Sequence, residues 1–318
     1  MSVSCFEFFK KTTMRLSKMR FNLNLYSCYR TELMGFAAIL IILCHAPSKE
    51  WGIPYINYLL CYGNLGVEIF FFLSGLGLAF SLSRHQGSLL PWYKKRYLRF
   101  LVPYLLIAVP WYYYKYLLGA GDFTRFVINV STLNYWLYHG GAWFVAVLMP
   151  LYLVTPLLFK IMHYHYGYAI LIFLSVTCSL LVVFEPSNIG NVFGNIIGTA
   201  KRLPCFFLGM IFSYAVKKHK KIPILPVIAI AAFFFVIYKF AFGDGRWLLV
   251  FLLIPLVCVS IKKSDILRTI FAFMGNISLE SYIANICLLD LGLTYVKSGG
   301  GNSICHSCSN RYNCSIRC

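Results

Sequence analysis

Long apolar stretches, separated by short and mostly basic connections, dominate the chain from residue 31 onward. A helix that crosses a bilayer needs about 20 predominantly apolar residues, and fewer when it packs inside a bundle. The pattern therefore predicts an all-α, polytopic transmembrane helix bundle with about nine spanning helices. The predicted spans are 31–47, 63–83, 98–118, 142–160, 167–184, 203–216, 222–242, 247–261 and 270–296.

The basic residues predict how these helices are oriented. With the N-terminus placed in the cytoplasm, the inner connections carry 19 Lys and Arg, the outer connections carry seven, and the other three lie in the tail. Lys and Arg accumulate on the cytoplasmic side of membrane proteins. The ratio therefore favours a multi-pass protein with a cytoplasmic N-terminus.

The composition supports the same class of protein. Of the 318 residues, 59% are hydrophobic and only 12% are charged, which is too apolar for a soluble fold. A net charge of +19 is also typical of proteins that bind nucleic acid. Here, however, the cations lie in short clusters between apolar runs rather than on a water-soluble face. We expect contact with membrane lipids and no nucleic-acid partner.

The pattern divides the chain into three regions: a basic cytoplasmic extension at 1–30, one membrane domain at 31–296 and a Cys-rich tail at 297–318. The tail contains Cys305, Cys308, Cys314 and Cys318, with His306 among them. Such spacing suits a zinc site or disulfides. The abrupt change in composition also fits a stretch with no evolved structure, such as a shifted reading frame that replaces a final helix. We favour this last interpretation and expect no metal.

Two titratable residues lie near the same outer end of the predicted bundle. His45 lies at the outer end of the first span, and Glu68 lies about five residues into the second. Titratable groups at membrane depth are costly and by default mark functional sites. A carboxylate that orients an imidazole allows the imidazole to remove a proton from a hydroxyl. The two residues predict a general base with its orienting group, and the alternative for His45 is an interfacial His bonded to a carbonyl.

Two arginines mark the opposite, inner end of the third span. Arg96 and Arg99 are three residues apart and are expected on one face of a starting helix. Guanidinium groups suit the recognition of phosphate, so this pair predicts a site for a phosphate-bearing cofactor. The alternative is ordinary positive-inside charge, which we prefer for Lys94 and Lys95.

Glu280 lies near the middle of the last predicted span. A carboxylate at that depth needs a partner. Lys201 or Arg202 is the predicted partner.

Six segments, in order, resemble the bacterial acyltransferase family 3. Individually each match is weak, but together they cover residues 32–285. They are ELMGFAAILIILCHA, GVEIFFFLSGLGLAFS, WYKKRYLRFLVPY, AWFVAVLMPLYLVTPLL, RLPCFFLGM and MGNISLESYIAN.

The resemblance implies a membrane O-acyltransferase of about ten helices in the bacterial inner (plasma) membrane. It implies acetyl-CoA or another acyl-CoA as donor and an exported or cell-surface glycan, or a lipid-linked sugar, as acceptor. His45 corresponds to the catalytic His, Glu68 to the carboxylate of the second helix, and Arg96 and Arg99 to the inner arginine motif. Ser74, in the second segment, is included as a candidate on the same basis.

The chain departs from the family pattern at three places. Met34 stands where the family has an arginine separated by ten residues from the His, Asn285 stands where a His is often found, and the tenth helix is missing. Arg30, one turn before Met34, is a candidate substitute. These departures leave open an inactive remnant, and a glycan or lipid-carrier transporter is the other alternative.

Overall fold

The computed structural model describes residues 20–45, 62–118, 121–138, 140–181, 191–218, 220–223 and 246–287, with three isolated positions between the last two ranges. This part of the chain is mostly helical. Most of the predicted span at 222–242 and the whole Cys-rich tail lie outside the described residues.

The helices agree with most of the predicted apolar stretches. They are α1 (Leu25–Cys28), α2 (Arg30–His45), α3 (Leu65–Ser83), α4 (Leu89–Tyr112), α5 (Phe123–Val130), α6 (Leu133–Tyr138), α7 (Trp143–Met162), α8 (Gly167–Leu180), α9 (Asn191–Ala200), α10 (Leu203–Lys217), α11 (Val250–Lys263), α12 (Asp265–Asn276) and α13 (Ser278–Cys287). A 3₁₀ turn, Tyr62–Asn64, precedes α3, and a π-helix, Tyr113–Leu118, extends α4. Another 3₁₀ turn, Arg246–Leu249, precedes α11.

Three helices are long and apolar enough to cross a membrane: Tyr62–Ser83, Trp143–Met162 and Val192–Lys217. A fourth span results if α12 and α13, which are bent by 67° at their junction, are counted as one. The described residues thus give three or four candidate spans, and the count of nine stays a prediction.

The last predicted span is not one straight helix. The sequence predicted a helix over 270–296, whereas the structure starts α12 at Asp265 and breaks it after Asn276. Asn is a poor helix former, and Gly275 before it lies against the backbone of Thr31, where a Cβ would sit 1.9 Å from the carbonyl oxygen. The chain bends at a point that is fixed by this close contact.

Helix α3 is the centre of the bundle. Its residues Ile69, Phe71, Phe72, Leu73 and Leu76 have no exposed side-chain surface. An apolar helix without a polar face is the expected sequence of a helix that is surrounded on all sides.

Helices α3 and α10 run parallel and approach closely through glycines. A Cβ on Gly75 would lie 2.1 Å from the carbonyl oxygen of Phe206, and one on Gly209 would lie 2.0 Å from that of Phe72. Small residues at such crossings allow two helix backbones to touch in membrane proteins. The parallel direction agrees with the predicted alternation of spans.

Helix α12 runs parallel to α2 on the other side of the core. Arg268 pairs with Glu32 at 3.7 Å, and the rings of Phe36 and Phe271 lie 5.5 Å apart. Both helices were predicted to run from the inner to the outer side. Their relative direction is consistent with that topology.

Part of the predicted N-terminal extension packs on the bundle. Strand β1 (Arg20–Asn22) pairs antiparallel with strand β2 (Lys221–Pro223). Leu23 and Tyr26, which follow β1, are buried in the core. The pairing places Arg20–Asn22 beside the basic connection after α10, and the sequence predicted both on the inner side.

Candidate functional site

His45 ends α2 and lies beside Asn285 of α13. The Asn285 Nδ2 atom is 2.7 Å from Nδ1 of His45, across 240 positions of sequence. With Nδ2 as donor, the imidazole proton sits on Nε2. A half-turn of the amide brings Oδ1 to the same place, where it accepts from Nδ1–H and leaves a lone pair on Nε2. The second arrangement makes Nε2 a general base.

Glu68 lies in the first turn of α3 and is 3% exposed. Its Oε1 atom accepts a hydrogen bond from Nη1 of Arg202, the residue before α10. The fully buried thiol of Cys205, one turn into α10, also bonds the carboxylate. The sequence named Arg202 as a candidate partner of Glu280. The structure gives Arg202 to Glu68 instead, because α10 runs parallel to α3 and brings its first residues to the start of α3.

The packing of α2 and α3 sets the depths of Glu68 and His45. A Cβ on Gly63 would lie 2.3 Å from the Leu40 oxygen, and one on Gly66 would lie 2.3 Å from the Ala37 oxygen. Continuing this antiparallel register at 1.5 Å per residue puts Glu68 roughly 10–15 Å deeper than His45. The structure thus gives each residue its own partner, and Glu68 as the group that orients His45 stays a prediction.

Two short helices close the bundle near Arg202. The Tyr135 hydroxyl on α6 donates to the Asn195 carbonyl at 3.1 Å and lies 3.0 Å from Oγ1 of Thr199 on α9. The Asn195 amide donates back to the Tyr135 carbonyl at 2.6 Å. Neither helix was predicted, because both are short segments in connections between spans. Polar residues spaced along 191–200 were the available signal.

At the opposite end of α3, Arg96 and Arg99 lie on α4. Arg96 is half-buried and Arg99 is exposed. Both act electrostatically on the hydroxyl of half-buried Tyr152 in α7. Burial lowers the pKa of the Arg96 guanidinium, and the charge of Arg99 lowers it further. The grouping favours binding of an anion.

A pocket of about 270 Å³ adjoins Arg96 between the end of α3 and the start of α4. Arg84, Lys95 and Arg96 supply its cations, and Trp92 forms part of its wall. The Trp92 indole donates to Oγ of Ser81 at 2.8 Å, which fixes the turn between the two helices. The pocket is lined by positive charge.

The two candidate sites lie at opposite ends of the bundle. Helix α3 contains 19 residues and begins near the His45 end, and its other end meets the start of α4. At 1.5 Å per residue this helix is about 28 Å long, close to the thickness of a bilayer core. A reaction that uses both sites must connect the two sides of the membrane.

The remaining candidates have other surroundings. Ser74 is buried within α3. Glu280 is half-buried in α13 and forms no ion pair within the described ranges. Among the described residues no group of three or more His, Cys, Asp or Glu could hold a metal ion. The cysteines of the tail lie outside these residues.

Comparison with known proteins places the chain in a family. A family model described as an acyltransferase domain matches residues 33–307. The match includes both ends of the bundle and continues past Val296 into the predicted tail. No curated protein and no solved structure gave a significant match. Because the family match spans most of the chain, the protein belongs to acyltransferase family 3 and is a membrane acyltransferase.

Proposed function

We propose that the protein is an O-acyltransferase of the bacterial inner (plasma) membrane, with its N-terminus in the cytoplasm. It transfers acetyl, or a similar short acyl group, from cytoplasmic acyl-CoA to a hydroxyl of an exported or cell-surface glycan or lipid-linked sugar. The observation that carries the proposal is the pair of sites at opposite ends of α3. One is a cationic cluster suited to phosphates, and the other is an imidazole held by an amide.

The donor binds at the cationic end. The phosphates of acyl-CoA lie against Arg96 and Arg99, since guanidinium groups recognise phosphate through charge-assisted hydrogen bonds. The acyl arm of the donor then extends between the helices toward the other end. To reach the acceptor, the thioester must lie most of the length of α3 away from the bound phosphates.

The acceptor reacts at the His45 end. His45 Nε2 removes the proton of the acceptor hydroxyl, and the oxygen attacks the thioester carbonyl carbon. The carbon–sulfur bond then breaks, and the departing thiolate takes a proton to leave as CoA thiol. Asn285 orients the imidazole through the amide contact to Nδ1. In this proposal Asn285 therefore has the orienting function that was predicted for Glu68. The same chemistry is compatible with direct transfer and with an acyl-His intermediate.

Glu68 has a structural function in this proposal. Its ion pair with Arg202 and its bond to Cys205 join the first turn of α3 to the start of α10. A buried, paired carboxylate of this kind fixes the relative position of two helices. The ion pair thereby keeps the path of the acyl arm, from the donor end to the acceptor end, in a single geometry.

The proposal is tested by measuring O-acetyl groups on surface glycans of cells that carry wild type, His45→Ala or an empty vector. General-base removal costs about 10² to 10⁴ in rate, so the variant should acetylate at background level. His163→Ala is the matched control, because His163 is exposed and, among the described residues, its side chain hydrogen-bonds within its own helix, to the Phe159 carbonyl. Membrane abundance is measured for each variant.

Equal acetylation by His45→Ala and wild type at equal abundance would remove His45 as the base. Export of glycan that depends on the protein, with no acetylation by wild type, would favour a transporter instead.

A further inference from the structure

Three arginines from two helices converge on Tyr152. Arg30 begins α2, whereas Arg96 and Arg99 belong to the first half of α4. The charges of Arg96 and Arg99 act on the Arg30 guanidinium, and all three arginines act on the Tyr152 hydroxyl, so the four groups form one cluster. Within the described ranges no carboxylate lies at ion-pair distance from any of the three guanidinium groups. The cluster therefore has an excess of positive charge.

Arg30 is held in this cluster by α3. Its Nε atom donates to the carbonyl oxygen of Leu73 at 3.2 Å. Gly77 provides the space, because a Cβ at this position would lie 2.5 Å from Nη2 and 2.6 Å from Cζ of Arg30. One of the five N–H donors of the guanidinium is used by Leu73. The position of the side chain is thus determined by a glycine and a backbone carbonyl, and no acidic partner is found for it in the part of the chain that the structure describes.

The neighbouring Arg96 also has unused bonding capacity. Its Nε atom is buried and has no hydrogen-bond partner among the described residues. Buried donors and buried cations are unfavourable when they stay without partners. Two helices hold three like charges together here, and an anion with several negative oxygens would offset both the repulsion and the unused donors.

We propose that Arg30 is a third phosphate ligand of the donor site, and that the site selects donors that carry more than one phosphate group. The inference rests on the proposed binding of acyl-CoA at Arg96 and Arg99. It adds a residue from α2, the helix that ends in His45. A donor with a pyrophosphate and a separate phosphate monoester can engage three guanidinium groups at once. A thioester on phosphopantetheine, which has a single phosphate, would leave part of the cluster unpaired.

The test is binding of CoA and of 4′-phosphopantetheine to the purified full-length protein, at low and high ionic strength. Arg30→Ala should weaken CoA binding about ten- to 150-fold, the equivalent of one lost charge-assisted contact. It should also reduce the dependence of CoA affinity on salt, because fewer charges are engaged. Phosphopantetheine should bind more weakly than CoA to wild type, and Arg30→Ala should narrow that difference.

Matched variants separate the charge from the geometry. Lys94→Ala removes an exposed cation of α4 that takes no part in the cluster, and it should leave CoA affinity within about twofold. Gly77→Ala keeps the charge of Arg30 but displaces its guanidinium, and it should weaken CoA binding in the same direction as Arg30→Ala. Arg30→Lys keeps the charge without the planar fork and should give an intermediate affinity, which provides a second variant if Arg30→Ala does not fold.

Two outcomes would overturn the inference, and they are distinguishable. If Arg99→Ala weakens CoA binding while Arg30→Ala and Arg30→Lys keep wild-type affinity and salt dependence, Arg30 is not a ligand and the proposed donor site stands. If neither Arg99→Ala nor Arg30→Ala changes CoA affinity, the donor site is wrong and the inference is wrong with it.

Discussion

Replacement of Glu68 by Ala should destabilise the protein strongly. We expect this effect in the absence of any substrate, because Glu68 has a structural function in the proposal. Glu68 is 3% exposed, and its carboxylate pairs with Arg202, whose side chain is 24% exposed. Removing one partner of a buried ion pair leaves the other charge uncompensated, at a cost of about 3–5 kcal/mol. Because Arg202 keeps some access to water, we expect the lower end, about 3 kcal/mol.

The assay is thermal unfolding of the purified protein in detergent. The protein is heated to a series of temperatures, and the fraction that still elutes as a monodisperse peak is measured after each. A loss of about 3 kcal/mol should lower the midpoint by roughly 6–12 °C, from the 2–4 °C per kcal/mol of proteins of comparable size. Glu280→Ala is the matched control. Glu280 is half-buried and forms no ion pair in the described part of the chain, so its midpoint should stay near wild type.

The double variant Glu68→Ala with Arg202→Ala isolates the pair. The double variant should lose less stability than the sum of the losses in the two single variants, because the second substitution removes the charge that the first left unpaired. A wild-type midpoint for Glu68→Ala, or strictly additive losses, would refute the view that this pair fixes α3 against α10.

Three other predictions follow from the same geometry. Arg99→Ala should weaken CoA binding by about ten- to 150-fold and leave acceptor binding unchanged, as measured by titration with CoA and by the apparent KM for acceptor; a loss of acceptor affinity alone would contradict the sided mechanism. Asn285→Ala should lower kcat more than it changes KM, because an imidazole without its amide partner loses its orientation. Asn285→His should be faster than Asn285→Ala, and an unchanged kcat in Asn285→Ala would exclude the orienting function. Gly75→Ala should lower the thermal midpoint, because its Cβ would lie 2.1 Å from the Phe206 oxygen, whereas Gly194→Ala should not, since nothing lies within 4 Å of a Cβ there; equal midpoints would show that α3 and α10 can separate freely.

The apolar pattern predicted the positions of the helices because burial in a bilayer requires long apolar segments. Helix α7, predicted at 142–160, extends over Trp143–Met162, and α10, predicted at 203–216, extends over Leu203–Lys217. The short helices α5, α6 and α9 were not predicted, because they are short segments in the connections between spans and lack a long apolar run. The Asp122 side chain caps α5 by accepting from the Arg125 amide at 2.9 Å.

The partners of the site residues were harder to predict than the residues themselves. Chemistry and family resemblance singled out His45 and Glu68, but partner choice depends on which helices lie side by side. Arg202 reaches Glu68 because α10 packs parallel to α3, and Asn285 reaches His45 because the chain bends between α12 and α13. A linear pattern of apolar residues contains neither of these arrangements.

The central claim is that acyl groups pass from CoA at the Arg96 end to an acceptor at the His45 end. The most direct measurement supplies [¹⁴C]acetyl-CoA to inside-out and to right-side-out membrane vesicles that contain the protein, and follows acetyl label in the glycan and lipid-linked fraction. We predict incorporation with inside-out vesicles only, at least about 10²-fold lower with His45→Ala and unchanged with His163→Ala. Incorporation by right-side-out vesicles, or equal labelling by wild type and His45→Ala at equal abundance, would contradict the account.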